Sequence, residues 1–266
     1  MLRLKVCFFA LFLISWLLMP TKIYAGETDK VLTGISKFIP LFISNDKIGK
    51  LFSDGLEKQY GLAHTNDPKD LMRVQTIGQK LLAKIKTKQT YDFAVLDSAI
   101  FNACSIYGGH IRVFKGLLTD TQNSNSELAA VLAHEIAHNE LGHNKEAVKQ
   151  FKIAYALDLT HISEKMPTLL LAGANAVLAK RSRQHEKAAD QQALEWMTKA
   201  GFSPKGAIAV YRRIEAEHNL EKKHSGQNEL EQRFAQIFST HPEPASRCEM
   251  AEDELFTQKY GRTFKE

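Results

Sequence analysis

Cysteine is scarce in this sequence. Three cysteines occur in 266 residues, and none of them belongs to a Cys-x-x-Cys pair. A zinc site built from thiolates needs closely spaced cysteines and is therefore not expected. Cys7 lies in an apolar run near the start, in the wrong context for a lipid-modified first residue. Cys104 and Cys248 could form a disulfide in an oxidising compartment or remain two buried thiols, and their spacing leaves both alternatives open.

The sequence also lacks internal repeats, low-complexity tracts and runs of Lys and Arg interleaved with aromatic residues. Nucleic acid is therefore not expected as a partner, although the formal net charge is +5. Part of that charge belongs to Arg3, Lys5 and Lys22 near the start of the chain. With 44% hydrophobic residues the chain can bury a packed core, and its length fits one large domain with an accessory segment.

The start of the chain has the pattern of a secretory leader. An uncharged apolar run over 6–19 follows two basic residues, and Ala25 ends the segment. A basic start, an apolar middle and a small residue at the cleavage point predict a signal peptide over 1–25, and hence a periplasmic protein. The alternative is an uncleaved N-terminal membrane anchor that faces the periplasm, because about 20 apolar residues span a bilayer.

Helical patterns dominate the remaining chain, which predicts an α+β fold that is mainly α-helical. Residues 26–66 are interpreted as short helical pieces that wrap the core, and 67–266 as the main domain. The apolar residues between 71 and 85 recur at a helical period. Strand composition over 91–98 and alternation within 108–118 predict a small sheet.

The segment 128–145, "LAAVLAHEIAHNELGHNK", follows a capping box formed by Ser124 and Glu127, so it begins a helix at a defined point. In a helix, residues four apart are separated by about 400°, so His134 and His138 project from one face and can bind one cation. Glu135 lies about 100° round the helix, close enough to reach a water on that cation. This is the His-Glu-x-x-His arrangement of zinc hydrolases.

His143 is a fourth candidate in the same segment. It comes nine residues after His134, which places it about 180° round the helix unless the chain bends sharply at Gly142. A structural role at the helix C-terminus is therefore expected for His143.

A catalytic zinc needs a third protein ligand and one open position. Two segments place an Asp four residues after a Glu, namely Glu186 with Asp190 and Glu249 with Asp253. In such a pair the Glu can bind metal while the Asp accepts a hydrogen bond from a ligand histidine and fixes its tautomer. Glu186 is preferred because Ala188 and Ala189 permit close packing of two helices.

Further residues carry a resemblance to a known family. They are Asn102-Ala103, Gly108-Gly109-His110-Ile111, Gly116-Leu117-Leu118, Glu127-Leu128, His134-Glu135-Ile136-Ala137-His138, His143, Arg183, Glu186-Lys187-Ala188-Ala189-Asp190, Thr240-His241-Pro242 and Arg247. Over about 71–250 the chain resembles the metallopeptidases that include HtpX and the CAAX prenyl proteases, and most closely their soluble periplasmic branch. The resemblance implies a zincin-like domain with a small β-sheet edge over the active-site helix.

The same resemblance implies roles for individual residues. Zinc, one ion per chain, is held by His134, His138 and Glu186, with Glu135 as the general base and Asp190 as the carboxylate behind a ligand histidine. His241 corresponds to a late histidine that ligates zinc at rest or contacts the transition-state oxyanion. From the residues alone, it could equally be an ordinary loop histidine before a proline.

The predicted function is zinc-dependent endopeptidase activity in the cell envelope, directed at extended or misfolded proteins in quality control. An extended substrate is expected to add to the sheet edge at Gly109, His110, Ile111, Arg112 and Val113, because backbone hydrogen bonds give affinity with little sequence preference. Partners are protein or peptide substrates, with peripheral membrane association as an option. The alternative is a zinc-stabilised, chaperone-like binding factor with little or no turnover.

Overall fold

The computed structural model describes residues 43–63, 68–157, 182–223, 241, 247 and 249–253. The predicted signal peptide over 1–25 lies outside the described residues, and so does Cys248, so both predictions stay as they are. Within the described ranges, no helix is both long enough and apolar enough to cross a membrane.

Helices make up most of the described residues, together with one three-stranded sheet. In chain order the elements are α1 (Asn45–Tyr60), α2 (Lys69–Leu82), β1 (Asp92–Leu96), β2 (Ala103–Ile106), β3 (His110–Phe114), α3 (Lys115–Asp120), α4 (Asn125–Glu140), α5 (His143–Leu157), α6 (Arg183–Lys199) and α7 (Lys205–Lys223). Residues 249–253 are helical as well. The prediction of an α+β fold that is mainly α-helical is confirmed.

The sheet has the strand order β1-β3-β2, with β1 parallel and β2 antiparallel to β3. In the register, Ile111 lies opposite Phe93 on one side and opposite Ser105 on the other. Gly108 and Gly109 turn the chain between β2 and β3 at φ values of 100° and 82°, which favour glycine. Because β3 is the central strand, the prediction that it offers a free edge to a substrate is wrong.

Helix α4 lies at the centre of the fold and packs against α2, α6, α7 and β2. The Ser124 side chain accepts a hydrogen bond from the Glu127 N–H at 3.2 Å, which confirms the predicted start of this helix. The Glu127 carboxylate pairs with Arg213 of α7 at 2.8 Å, so the cap also joins two helices. Leu128, Leu132 and other apolar residues of α4 are fully buried in the main core. The helix that carries the histidines is therefore held rigidly on several sides.

A smaller apolar cluster lies between α1, α5 and the sheet. Arg112 of β3 is buried beneath α1, where it pairs with Glu57 at 2.8 Å and with Asp92 at 2.7 Å. A buried guanidinium needs such partners to offset its loss of hydration. This part of β3 therefore ties the sheet to α1.

Candidate metal centre

The two predicted histidine ligands lie one turn apart on the buried helix α4. The Nε2 atoms of His134 and His138 are 3.0 Å apart, and both rings are buried. At this distance the two nitrogens can share one proton in a hydrogen bond or bind one cation together. The four-residue spacing thus brings the two ring nitrogens together, as helix geometry predicts.

The third donor comes from the first turn of α6. The side chain of Ser182 accepts a hydrogen bond from the His185 N–H at 3.1 Å, and this cap starts the helix just before Glu186. Glu186 Oε2 lies 3.4 Å from His134 Nε2, and Glu186 Oε1 lies 3.3 Å from His138 Nε2. Ala189, one turn on, is fully buried where α6 packs on α4.

The alternative pair, Glu249 and Asp253, does not take part in this cluster. Both residues are exposed, as expected of a solvated acidic face. Of the two carboxylates that the spacing allowed, Glu186 is the one that reaches the histidines.

His241 supplies a fourth donor. Its Nδ1 atom lies 2.8 Å from Glu186 Oε2 and 3.3 Å from His134 Nε2. Burial lowers the pKa of His241, which favours the neutral ring that can bind a cation. Together with His138 these residues place four donor atoms within 4.8 Å of one another.

The donor set can be tested against zinc. Zn–N bonds of 2.0–2.1 Å in a tetrahedron put neighbouring donors about 3.3 Å apart. Five of the separations between these residues range from 2.8 Å to 3.4 Å, and one donor atom from each residue lies within 4.8 Å of the other three. Burial raises the pKa of Glu186, but the surrounding imidazoles outweigh this and lower it well below its usual range, so the group is a carboxylate. The residues therefore fit a site for one zinc ion.

Asp190 holds the first ligand ring in place. Its Oδ1 atom lies 2.7 Å from His134 Nδ1, the nitrogen opposite the donor cluster. The same carboxylate accepts hydrogen bonds from Arg247 Nε at 2.7 Å and from the Tyr211 hydroxyl at 2.8 Å. Burial raises the pKa of Asp190, but Arg247 and His134 lower it to about 2, so Asp190 stays charged. The role predicted for Asp190 thus fits this geometry. The contact between Asp190 and Tyr211 was not predicted from the sequence.

His143 also reaches the site. The chain bends at Gly142, where φ is 80°, and α5 begins directly afterwards. This bend brings His143 Nδ1 to 2.8 Å from His138 Nδ1. The sequence kept His143 out of the site unless the chain bends sharply at Gly142, and this bend is present. His143 therefore contacts a predicted metal ligand, in place of the role expected at the helix C-terminus.

The predicted general base lies beside the donor cluster, in a small cavity. Glu135 and His134 line this cavity together with His241 and Asn102. The Oδ1 atom of Asn102 accepts a hydrogen bond from the Ala103 N–H at 2.9 Å, while its buried Nδ2 has no hydrogen-bond partner among the described residues. This N–H is therefore available to a group that enters the cavity. Asn102 was part of the family resemblance, but sequence reasoning gave it no role.

The strand that was predicted to bind substrate, β3, does not line this cavity. His110 pairs with Asp92, and Arg112 pairs with Asp92 and Glu57, so these two side chains are held by β1 and α1. Ile111 and Val113 are fully buried in the core. The strand nearest the cavity is β2, which begins at Ala103, a residue of the cavity lining.

Comparison with known proteins agrees with this site. The pattern of Peptidase family M48 matches residues 68–255. The β-barrel assembly-enhancing protease of Yersinia pestis is 27% identical over 195 residues, which cover 68% of this chain and 38% of that protein. Metalloprotease YcaL of Escherichia coli K12 is 26% identical over 63% of each chain, and mitochondrial metalloendopeptidase OMA1 of Schizosaccharomyces pombe is 33% identical over 58% of this chain and 43% of its own.

The chain thus spans about two fifths of the length of the β-barrel assembly-enhancing proteases that it matches. The residues 68–255 that match the family include the histidines of α4 and the carboxylates of α6. The predictions of a metallopeptidase of the HtpX type and of one zinc ion as cofactor are confirmed. The chain belongs to peptidase family M48, a family of zinc metallopeptidases.

Proposed function

We propose that this protein is a zinc-dependent endopeptidase of the cell envelope that cleaves extended or misfolded proteins. The observation that carries the proposal is a buried set of four metal donors beside Glu135 in one cavity. Zinc held there would act as a Lewis acid that activates water and polarises a peptide carbonyl. The site therefore supplies the groups that peptide hydrolysis needs.

Two side chains beside the cavity have direct tasks in this chemistry. Glu135 can take a proton from the attacking water and later deliver it to the leaving amine. Asn102 can donate its unused N–H to the substrate carbonyl or to the charge that develops on it. An extended substrate would then lie along β2 at the cavity, and not along the central strand β3.

His241 controls access to the metal in this proposal. A catalytic zinc keeps three protein ligands and leaves one position for water, whereas here four protein donors converge. His134 and His138 are held on α4 and Glu186 on α6, and these two helices pack against each other. His241 is the donor that lies outside both helices. His241 would therefore ligate zinc at rest and leave when substrate enters.

The location in the envelope rests on two observations. The first 25 residues have the pattern of a secretory leader. The Yersinia relative is named a protease that enhances β-barrel assembly. N-terminal sequencing of the protein recovered from the periplasm should begin at Gly26, and recovery of the intact leader would favour the anchored alternative.

Glu135→Gln tests the activity. Cleavage of an unfolded protein such as reduced casein should fall by about a hundredfold or more, while the zinc content stays at one ion per chain. Glu140→Gln is the matched control on the same helix, because Glu140 accepts hydrogen bonds from Thr87 and Tyr91 away from the cavity. Equal cleavage by wild type and Glu135→Gln would remove the peptidase assignment. Zinc-dependent binding of unfolded protein without cleavage by either form would favour the chaperone-like alternative.

A further inference from the structure

The two ligand histidines of α4 have unlike partners behind them. His134 Nδ1 lies 2.7 Å from the Asp190 carboxylate, whereas His138 Nδ1 lies 2.8 Å from a second imidazole, that of His143. Carboxylates and backbone carbonyls are the usual partners of metal-bound histidines. The contact between His138 and His143 therefore needs its own explanation.

The direction of this hydrogen bond follows from the metal site. His138 turns Nε2 toward the donor cluster, 3.0 Å from His134 Nε2 and 3.3 Å from Glu186 Oε1. A neutral imidazole that binds a cation through Nε2 carries its proton on Nδ1. His138 must then donate, and His143 Nδ1 must accept, which leaves the proton of His143 on Nε2.

We infer that His143 is a positioning residue of the zinc site, which fixes the tautomer and the ring orientation of His138. The metal-binding atom of His138 can point into the cluster only while its opposite nitrogen has an acceptor. This inference rests on the zinc centre and does not depend on which substrate the protein cleaves.

His185 holds His143 in the required place. The two rings stack with their centroids 4.1 Å apart and their planes inclined by 17°. His185 directly precedes Glu186, and its Nε2 lies 3.5 Å from Glu146 Oε2 of α5. The stack therefore joins the first turn of α5 to the first turn of α6. On one side His143 contacts the ligand His138, and on the other side His185 directly precedes the ligand Glu186.

Two substitutions separate the acceptor from the stacking. His143→Phe keeps an aromatic ring on His185 and removes the acceptor, whereas His143→Asn places an amide oxygen near the position of Nδ1 and removes the ring. Zinc affinity of the full chain is measured by competition with a chelator of known affinity. We expect His143→Phe to bind zinc about 10- to 100-fold more weakly, and His143→Asn to stay close to wild type.

Thermal unfolding of the metal-free variants shows whether they fold. If His143→Phe does not fold, His143→Leu is measured with the same expectation. Zinc affinity of the Phe or Leu variant equal to that of wild type would overturn the inference. An equal loss of zinc affinity in His143→Asn and His143→Phe would also overturn the inference, because a retained hydrogen-bond acceptor would then make no difference.

Discussion

Nε2 of His241 lies 3.5 Å from Oε1 of Glu135, while Nδ1 of the same ring lies 2.8 Å from Oε2 of Glu186. One imidazole thus connects the metal donor cluster with Glu135, the proposed general base. If the other three donors hold zinc, a water and a substrate carbonyl would need the space that this ring occupies beside Glu135. Removal of its nitrogens should therefore affect catalysis more than metal retention.

The first prediction concerns His241→Ala, which removes the ring together with both nitrogens. Zinc should stay bound through the three remaining donors, and cleavage of unfolded substrate should rise severalfold because the fourth position is open. Zinc content and kcat/KM are measured on the same sample. A fall in kcat at full zinc occupancy would instead place His241 on the transition-state oxyanion.

The second prediction concerns Glu186→Ala. Loss of a hydrogen-bond partner behind a metal ligand typically weakens metal binding by roughly 10- to 100-fold. Glu186→Ala removes a ligand itself, so its zinc affinity should fall by more than that. Glu195→Ala is the matched control, since Glu195 lies on the same helix, is exposed and pairs with Lys199. Full zinc occupancy in Glu186→Ala would exclude Glu186 as the third ligand.

Asn102→Ala gives the third prediction. It removes the buried Nδ2 donor from the cavity, so kcat/KM should fall by about 10- to 100-fold while zinc affinity is unchanged. Asn139→Ala is the control, because Nδ2 of Asn139 also lacks a hydrogen-bond partner among the described residues but does not line this cavity. An unchanged kcat/KM for Asn102→Ala would show that the donor does not contact substrate.

The fourth prediction concerns the bend at Gly142. An alanine there meets no atom within 4 Å, so its cost arises from the φ of 80° alone and should be about 1 kcal/mol of unfolding free energy. Gly201→Ala is matched to it, with φ at 78° and no close contact. Both should lower the stability of the metal-free protein to a similar extent, by thermal or urea unfolding. Only Gly142→Ala should weaken zinc binding, because it displaces His143, and equal zinc affinity in both variants would contradict this.

Local periodicity predicted the part of the site that one helix carries. His134, Glu135 and His138 needed only the helical repeat. For the carboxylates the same spacing allowed Glu186 with Asp190 and Glu249 with Asp253, and the small Ala188 and Ala189 favoured the first pair. These residues lie where the spacing placed them because helix geometry is independent of the rest of the fold. The same reasoning identified the start of α4, since a cap is also a local feature.

Features that depend on topology were not predictable in this way. β2 is four residues long and fully buried, so it shows no alternation of polar and apolar residues, and without it β3 was mistaken for an edge strand. His143 was misplaced because a single glycine with positive φ redirects the chain. Tyr211 gives no signal in the sequence, because its role arises only where α6 and α7 both pack on α4 and its hydroxyl reaches Asp190.

Asp190 is contacted by groups from distant parts of the chain. His134 belongs to α4, Tyr211 to α7, and Arg247 lies after both, yet all three meet on this carboxylate at 2.7–2.8 Å. Zinc held by His134 would fix the ring that contacts Asp190, and Arg247 binds the same carboxylate. We therefore expect zinc binding and the Arg247 contact to be thermodynamically linked, so that each stabilises the other by the same free energy. Zinc occupancy should accordingly strengthen the attachment of Arg247 to the core.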